Sequence, residues 1–329
     1  MTFTFSPAVR DRASLLIGLC GPSGSGKSFS ALALATGLAG PEGRVVAIDS
    51  EAGRLKHYAD QFKFDHGDMK PPFGPDRYIE AVKAADDAGY DVIVIDSLSH
   101  EWESEGGLMD MHDTLLEIQV EQARKSHNAS WAFDENKTRE RLSIGAWKLP
   151  KMQHKRFVSR LLQCRAHLVI CMRADEKMRI EKVKDDRGRE RTVILQAKDM
   201  PPAERWSPIC ERRFPYELTM SLILTPQAPG VPVPVKLQEQ HRGIVRDDEQ
   251  LTVDTGRLLA EWARGGVAPK TPVVDTAGLL VQGDAKAKDG MVELGQWWTS
   301  LTSDERKEIG PKQLDAWKVI ASTPEAESL

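Results

Sequence analysis

The stretch LLIGLCGPSGSGKS, residues 15–28, sets how the rest of the chain is read. An apolar run enters a glycine-rich turn that ends in Lys27 and Ser28. Gly21, Pro22, Ser23, Gly24, Ser25, Gly26, Lys27 and Ser28 fit the pattern G-x-x-x-x-G-K-[ST] without deviation. Glycines there let successive backbone N–H groups converge on phosphate oxygens, and the helix that follows presents its positive end to them. Lys27 is then the group for the β- and γ-phosphates, and Ser28 is a ligand for Mg²⁺. Phe29, next along the helix, completes the expected nucleotide-binding set. The expected cofactors are ATP and Mg²⁺.

Working outward, three further runs have the same texture: RVVAID (44–49), DVIVID (91–96) and HLVICM (167–172). None alternates polar with apolar residues, so each reads as a strand buried on both faces of a parallel sheet. Helical stretches lie between the first three, SFSALALATGLAG after the loop and PDRYIEAVKAADDAGY before 91–96. The order β-α-β-α-β predicts a doubly wound α/β core. Residues 101–165 are charged and helical in pattern, notably 108–125 and 151–164, and are expected to be an insertion at the sheet's rim or edge. Beyond the fourth strand, KMRIEKVKDDRGRERTVILQA reads as a hairpin turning at DDRG. YELTMSLILT (216–225) and PVPVKLQ (232–238) read as a second hairpin. A helix is expected over 254–266, capped by Asp254 or Thr255 and stopped by Gly265. The expected organisation is an ATPase domain over 1–264, a linker over 265–290 rich in Gly, Pro, Ala and Lys, and a small helical unit over 291–329. In that unit Trp297, Leu301, Ile309, Leu314 and Trp317 supply a mini-core, with a helix start at Ser303 to Glu305.

A formal net charge of -4 excludes a molecule-wide basic field, so contact with nucleic acid has to come from a local patch or from several subunits lining one channel. Cys20, Cys164, Cys171 and Cys210 lie in or beside apolar segments without C-x-x-C spacing, which predicts buried thiols in a reducing compartment. The N-terminus has no basic flank leading into a long apolar core, and no apolar run approaches the roughly 20 residues needed to cross a bilayer. The expectation is a cytoplasmic protein with no membrane contact.

Two acidic clusters end strands. DVIVIDS puts Asp96 at the C-terminal rim, where a carboxylate holds the Mg²⁺ shell. VVAIDSEAG ends in Asp49, Ser50 and Glu51, 24 residues after Lys27. Hydrolysis needs a base or water-orienting group beside the γ-phosphate and separate from the metal ligand. Glu51 is the first candidate and Glu101 the second, with Glu103 beside it; Asp49 or Glu51 has the alternative of capping a helix that begins near Gly53.

VVAIDSEAGRL, DVIVIDSLS and their spacing resemble the RecA-type ATPase core, over approximately residues 13–245. With HLVICMRADEK and WKLPK…FVSRLL the chain resembles phage-encoded RecA-like/AAA nucleotide-binding proteins, a group that includes recombination proteins annealing single-stranded DNA. The resemblance implies a RecA-like P-loop NTPase fold with a mainly parallel central sheet, a β-hairpin extension and the small helical C-terminal unit. It assigns the catalytic role to Glu51, alongside Lys27. It also implies a homo-oligomer with ATP at subunit interfaces, a cytoplasm that is the host's, and single-stranded DNA together with phage replication or recombination proteins as partners. One departure is Met172-Arg173, where a polar sensor, usually glutamine, is expected; Arg173 becomes a sensor or DNA-contact candidate. Lys198 and Arg212, the latter with Arg213, are candidates for the group a neighbouring subunit supplies.

Nucleic acid in such cores is gripped beyond the third and fourth strands. That region holds Lys125, Lys137, Arg139, Arg141, Lys148, Lys151, Lys155 and Arg156, interleaved with Trp131, Phe133 and Trp147. Lys148, Lys151, Lys155 and Arg156 are the leading DNA-binding candidates. Glu121, Asp134, Glu135 and Glu140 share the segment, so a solvated face laced with ion pairs is the competing reading. A functional alternative follows from it: an ATP switch that acts on a protein partner without touching DNA.

Overall fold

Alternate side chains of a strand leave on opposite faces, so a wholly apolar strand has to be covered twice. Leu16 and Cys20 enter one buried cluster while Ile17 and Leu19 enter another. The structure, a computed structural model, describes residues 13–128, 132–177, 179–184, 190–196, 200–265 and 276–322. These divide into two compact units, 13–265 and 276–322.

The strands of the first unit are β1 (Leu16–Gly21), β2 (Val45–Asp49), β3 (Asp65–Asp68), β4 (Val92–Asp96), β5 (His167–Glu176), β6 (Arg179–Lys184), β7 (Glu190–Leu195), β8 (Trp206–Pro208), β9 (Met220–Thr225) and β10 (Ala228–Lys236). The main sheet runs β10-β9-β1-β5-β4-β2-β3. All its pairings are parallel except that of β10 with β9, while β8 pairs antiparallel with the far end of β5. The hairpin β6–β7 stands as its own two-stranded sheet; its turn lies outside the described residues. This is a mixed α/β fold with a mainly parallel central sheet, as expected. Register carries the chemistry to one edge. Gly21 pairs with Arg173, Cys171 with Asp96, and Asp96 with Asp49, so the ends of four adjacent strands form one rim.

The first six helices are α1 (Lys27–Ala39), α2 (Pro75–Asp87), α3 (Ser99–Glu103), α4 (Leu108–Lys125), α5 (Glu135–Ala146) and α6 (Lys148–Leu162). α2 and α6 cover one sheet face with Tyr78, Val82, Phe157 and Leu161. α1 covers the other with Leu32, Leu34 and Leu38, backed by the helix Val253–Arg264 through Leu259, Ala260 and Ala263. Those two helices cross at glycines. A Cβ on Gly37 would sit 2.0 Å from the Val253 carbonyl oxygen, and one on Gly256 would sit 2.3 Å from that of Leu34. Only hydrogen fits there.

Several expectations need correction. The helix at 253–264 is capped by Thr252, in a reciprocal capping box with Thr255, and Asp254 lies inside the helix. The expected strand 216–225 begins only at Met220, because Phe214–Glu217 forms a helical turn around Pro215. β3, with the sequence DHGD, was not foreseen: it is a short edge strand without an apolar face. Within the expected linker 265–290, residues Thr276–Asp289 form a helix; residues 266–275 lie outside the described residues.

The second unit packs that helix with Met291–Ser300, Ser303–Ile309 and Pro311–Ser322. Trp317 is fully buried and donates its indole N–H to Asp284 at 2.6 Å. Leu301 and Ile309 join it in the core, with Leu279, Ala287 and Leu294, while Trp297 is half-buried against it; Leu314 stays outside the cluster. Thr302 and Glu305 form the capping box that starts Ser303–Ile309. The four cysteines are buried and unpaired. Among the described residues no helix is long and apolar enough to cross a membrane.

Candidate functional site

β1 stops at Gly21 and the chain turns through Gly24 (φ 78°) and Gly26 (φ 83°), left-handed conformations that suit glycine. Gly26 is the N-cap of α1 and offers no side chain, and the first turn of α1 carries no acid, so neither a side-chain cap nor an acidic residue occupies the helix's positive end. The loop is braced from behind, where the Gly230 N–H in β10 donates to the Ser25 carbonyl at 3.0 Å. The Lys27 ammonium folds back onto the Pro22 carbonyl at 2.8 Å. Ser23 and Gly24 are exposed, and so is Phe29, edge-on to Phe62 at 5.2 Å and to Tyr58 at 6.1 Å.

Across the rim, Ser28 donates its hydroxyl hydrogen to Asp96 Oδ2 at 2.5 Å. Burial pushes the Asp96 carboxyl up to about 6; the Ser28 bond and Lys27 oppose the rise, while Glu51 and Asp49 add to it. One hydroxyl and one carboxylate make a hard, all-oxygen donor pair. They suit a cation that keeps its other positions for phosphate oxygens and water, so these residues fit Mg²⁺. Among the described residues, no group of three or more His, Cys, Asp or Glu side chains is arranged as a metal cage.

Asp49 is wholly buried and structural. It accepts the N–H of Glu51 at 2.7 Å and of Leu55 at 3.0 Å, and its Oδ2 lies 3.1 Å from His66 Nε2. Of the two capping alternatives, Asp49 is the one that braces the turn into the short helix Arg54–Tyr58, with Gly53 at its start. Glu51 is thereby left off the brace, with its carboxylate on the rim among cationic partners. Its oxygens lie 3.0 Å from Arg54, 3.8 Å from Arg173 Nε and 3.9 Å from His100 Nε2.

Two residues around Glu51 were not singled out from sequence. Ser50 Oγ donates to the Ser97 carbonyl and accepts the Ser97 N–H, both at 2.9 Å, tying the ends of β2 and β4 together. With its one hydrogen so used, Ser50 accepts from His100 Nδ1 at 2.7 Å, which turns Nε2 toward Glu51. Burial, and then the Arg173 charge, hold the His100 pKa below its ordinary value, favouring the neutral ring. The available signal was a histidine directly before Glu101 and a serine directly before Glu51.

Arg173 joins this cluster as a member of the same subunit's rim. Its guanidinium meets Glu103 at 3.0 Å as well as Glu51, and its N–H donates to Ser99 Oγ at 2.8 Å. Glu101 is placed elsewhere. It is wholly buried and accepts from His154 Nδ1 of α6 at 2.9 Å, and burial raises its pKa. Of the two glutamates downstream of Asp96, Glu101 is thus turned away under α6, while Glu103 meets Arg173 in the cluster with Glu51.

The remaining candidates scatter. Arg212 is exposed beside α6, not at the phosphate loop, and Lys198 lies outside the described residues, as does Trp131. Lys148, Lys151, Lys155 and Arg156 are all exposed on α6. A family model described as an AAA domain matches residues 13–202, more than half of the chain. No curated protein matches the chain.

Proposed function

Because the chain belongs to the AAA-domain family of P-loop nucleotide-binding proteins, we propose that it is a Mg²⁺-dependent ATPase acting on single-stranded DNA in recombination or replication. Glu51 carries this reading. It is the carboxylate at the rim that is neither engaged as a brace, as Asp49 is, nor bonded to the loop's serine, as Asp96 is. In the proposed reaction Lys27 and the loop's N–H groups hold the phosphates, Ser28 and Asp96 hold the metal, and Glu51 orients and deprotonates the attacking water. The metal's contribution is charge stabilisation on the phosphates. Arg173 steadies Glu51 from the same subunit, which suits a sensor of nucleotide state better than a group lent by a neighbour.

The DNA half of the proposal draws on the exposed basic residues of α6. A RecA-like, phage-encoded homo-oligomer in the host cytoplasm, with ATP between copies, fits the open, exposed tip of the phosphate loop. Lys198 is the proposed trans-acting group, and other replication or recombination proteins the proposed partners. Measuring ATP turnover with and without single-stranded DNA tests the proposal; stimulation is expected. Turnover indifferent to DNA would favour the second reading, an ATP switch for a protein partner. That reading is supported by Ile144, 86% exposed on α5, the helix on which Arg139 is already engaged by carboxylates.

A further inference from the structure

Basic residues of the insertion differ in what they meet. Lys137 and Arg141 of α5 have no carboxylate partner among the described residues, but they lie outside the groove that α6 lines. On α4 and α5, Arg124 pairs with Glu135, Lys125 with Glu121, and Arg139 with Glu117 and Glu135. Such exposed pairs satisfy one another and leave little charge for a partner. Lys151 and Lys155, four residues apart on one face of α6, have no carboxylate partner among the described residues, and neither have Arg212 and Arg213 across from them. All four line a single groove of about 1070 Å³ between α6 and residues 210–217.

That groove also carries aromatic faces. Trp102 and Trp147 line it as a stacked pair, centroids 5.7 Å apart and planes 14° apart, and His112 backs Trp147 at 4.3 Å. On the opposite wall Tyr216 is 64% exposed. Glu211 and Glu217 lie in the same lining, and Glu211 is engaged by the Arg213 backbone N–H at 2.7 Å. Unpaired cations beside the exposed Tyr216 ring and the half-buried Trp102 in one concavity call for a polyanion whose flat apolar rings are uncovered. A duplex hides those rings in its stack; a single strand does not.

We infer that this groove is the seat of single-stranded nucleic acid, with Lys151, Lys155, Arg212 and Arg213 on the phosphates and Tyr216 and Trp102 as stacking platforms for the bases, Trp147 holding Trp102 in place from behind. This locates the strand within the DNA-binding reading above and rests on it. It also moves Arg212 from the nucleotide site to the strand. Stacking has no preference for base identity, so the groove binds without sequence specificity. The groove is linked to the nucleotide site by a hydrogen bond and a short run of chain: His154 in its lining is hydrogen-bonded to Glu101, and Glu101 sits in α3, which starts three residues after Asp96.

Fluorescence anisotropy with a labelled oligothymidylate at low salt tests the assignment. The chains compared are wild type, Lys151→Glu with Lys155→Glu, Arg212→Ala with Arg213→Ala, Tyr216→Ala, and an α5 control, Lys137→Glu with Arg141→Glu. Thermal melting establishes that each is folded, and the two cation pairs lie on different elements, so either can carry the test. Wild type and control are expected to bind alike. Each groove pair should lose affinity by about a hundredfold and flatten the slope of log affinity against log salt by roughly 0.7 per cation removed. Tyr216→Ala should lose about tenfold with the salt slope unchanged. Absence of binding by the wild type would overturn the single-strand reading itself. Wild-type binding that both groove pairs retain within twofold would overturn the groove alone.

Discussion

Glu51 and Glu101 begin alike and end apart. Each follows an aspartate that closes a buried parallel strand, Asp49 for one and Asp96 for the other. Glu51 leaves its strand on a turn whose backbone is held by Asp49, so its carboxylate stays at the rim among arginines and a neutral histidine. Glu101 leaves on α3, which carries it under α6 to His154. A carboxylate kept at a wet rim can exchange protons with water. One sealed against a single histidine is a strut, because separating that pair would strand a buried charge. What distinguishes the two is the first turn after the strand.

The sharpest way to break this comparison is to neutralise each glutamate in turn. Glu51→Gln is expected to lower ATP turnover by about 10²- to 10⁴-fold with nucleotide binding retained, in the range of a lost general base. Glu101→Gln should leave turnover within about threefold and cost about 1–3 kcal/mol of stability, seen as a lower Tm. The opposite pattern would exchange their roles. The next effect is on pH. Asp96 is raised to about 6 from an ordinary 3.8, so its ionised form is lost as pH falls through about 6. Metal–nucleotide affinity should therefore hold above that value and decline below it by up to about tenfold per pH unit. Titration calorimetry across that range checks this, and Asp96→Asn should remove the step. The smallest effect belongs to Arg54, whose side chain is 73% exposed where it meets Glu51. Arg54→Ala should change stability by under about 1 kcal/mol and turnover by less than threefold; a collapse of turnover would place Arg54 in the reaction.

The core strands were legible because a strand buried on both faces must be a continuous apolar run, and residues 15–20, 44–49, 91–96 and 167–172 are such runs. β3 was not, since DHGD at a sheet edge has neither an apolar run nor an alternation to read. The helix Thr276–Asp289 was hidden by an Ala-, Gly- and Lys-rich composition that resembles a tether. At the site, the phosphate loop is local in sequence and could be read whole. The partners of Glu101 and His100 are 53 and 50 residues away, and no spacing rule connects them. The same holds for the basic segment. Composition lists its charges, but only folding decides that Arg139 meets Glu117 and that Lys151 meets no carboxylate among the described residues.

The glycine crossing of α1 with Val253–Arg264 has a consequence for synthesis. The phosphate loop leaves the ribosome early, yet β1 acquires its sheet neighbours only with His167–Glu176 and Met220–Thr225, and α1 is clad only when residue 264 has emerged. At roughly 5–20 residues per second, that is an interval on the order of ten to fifty seconds. Until His167–Glu176 emerges, β1 is a bare apolar strand, open to pairing with the wrong neighbour.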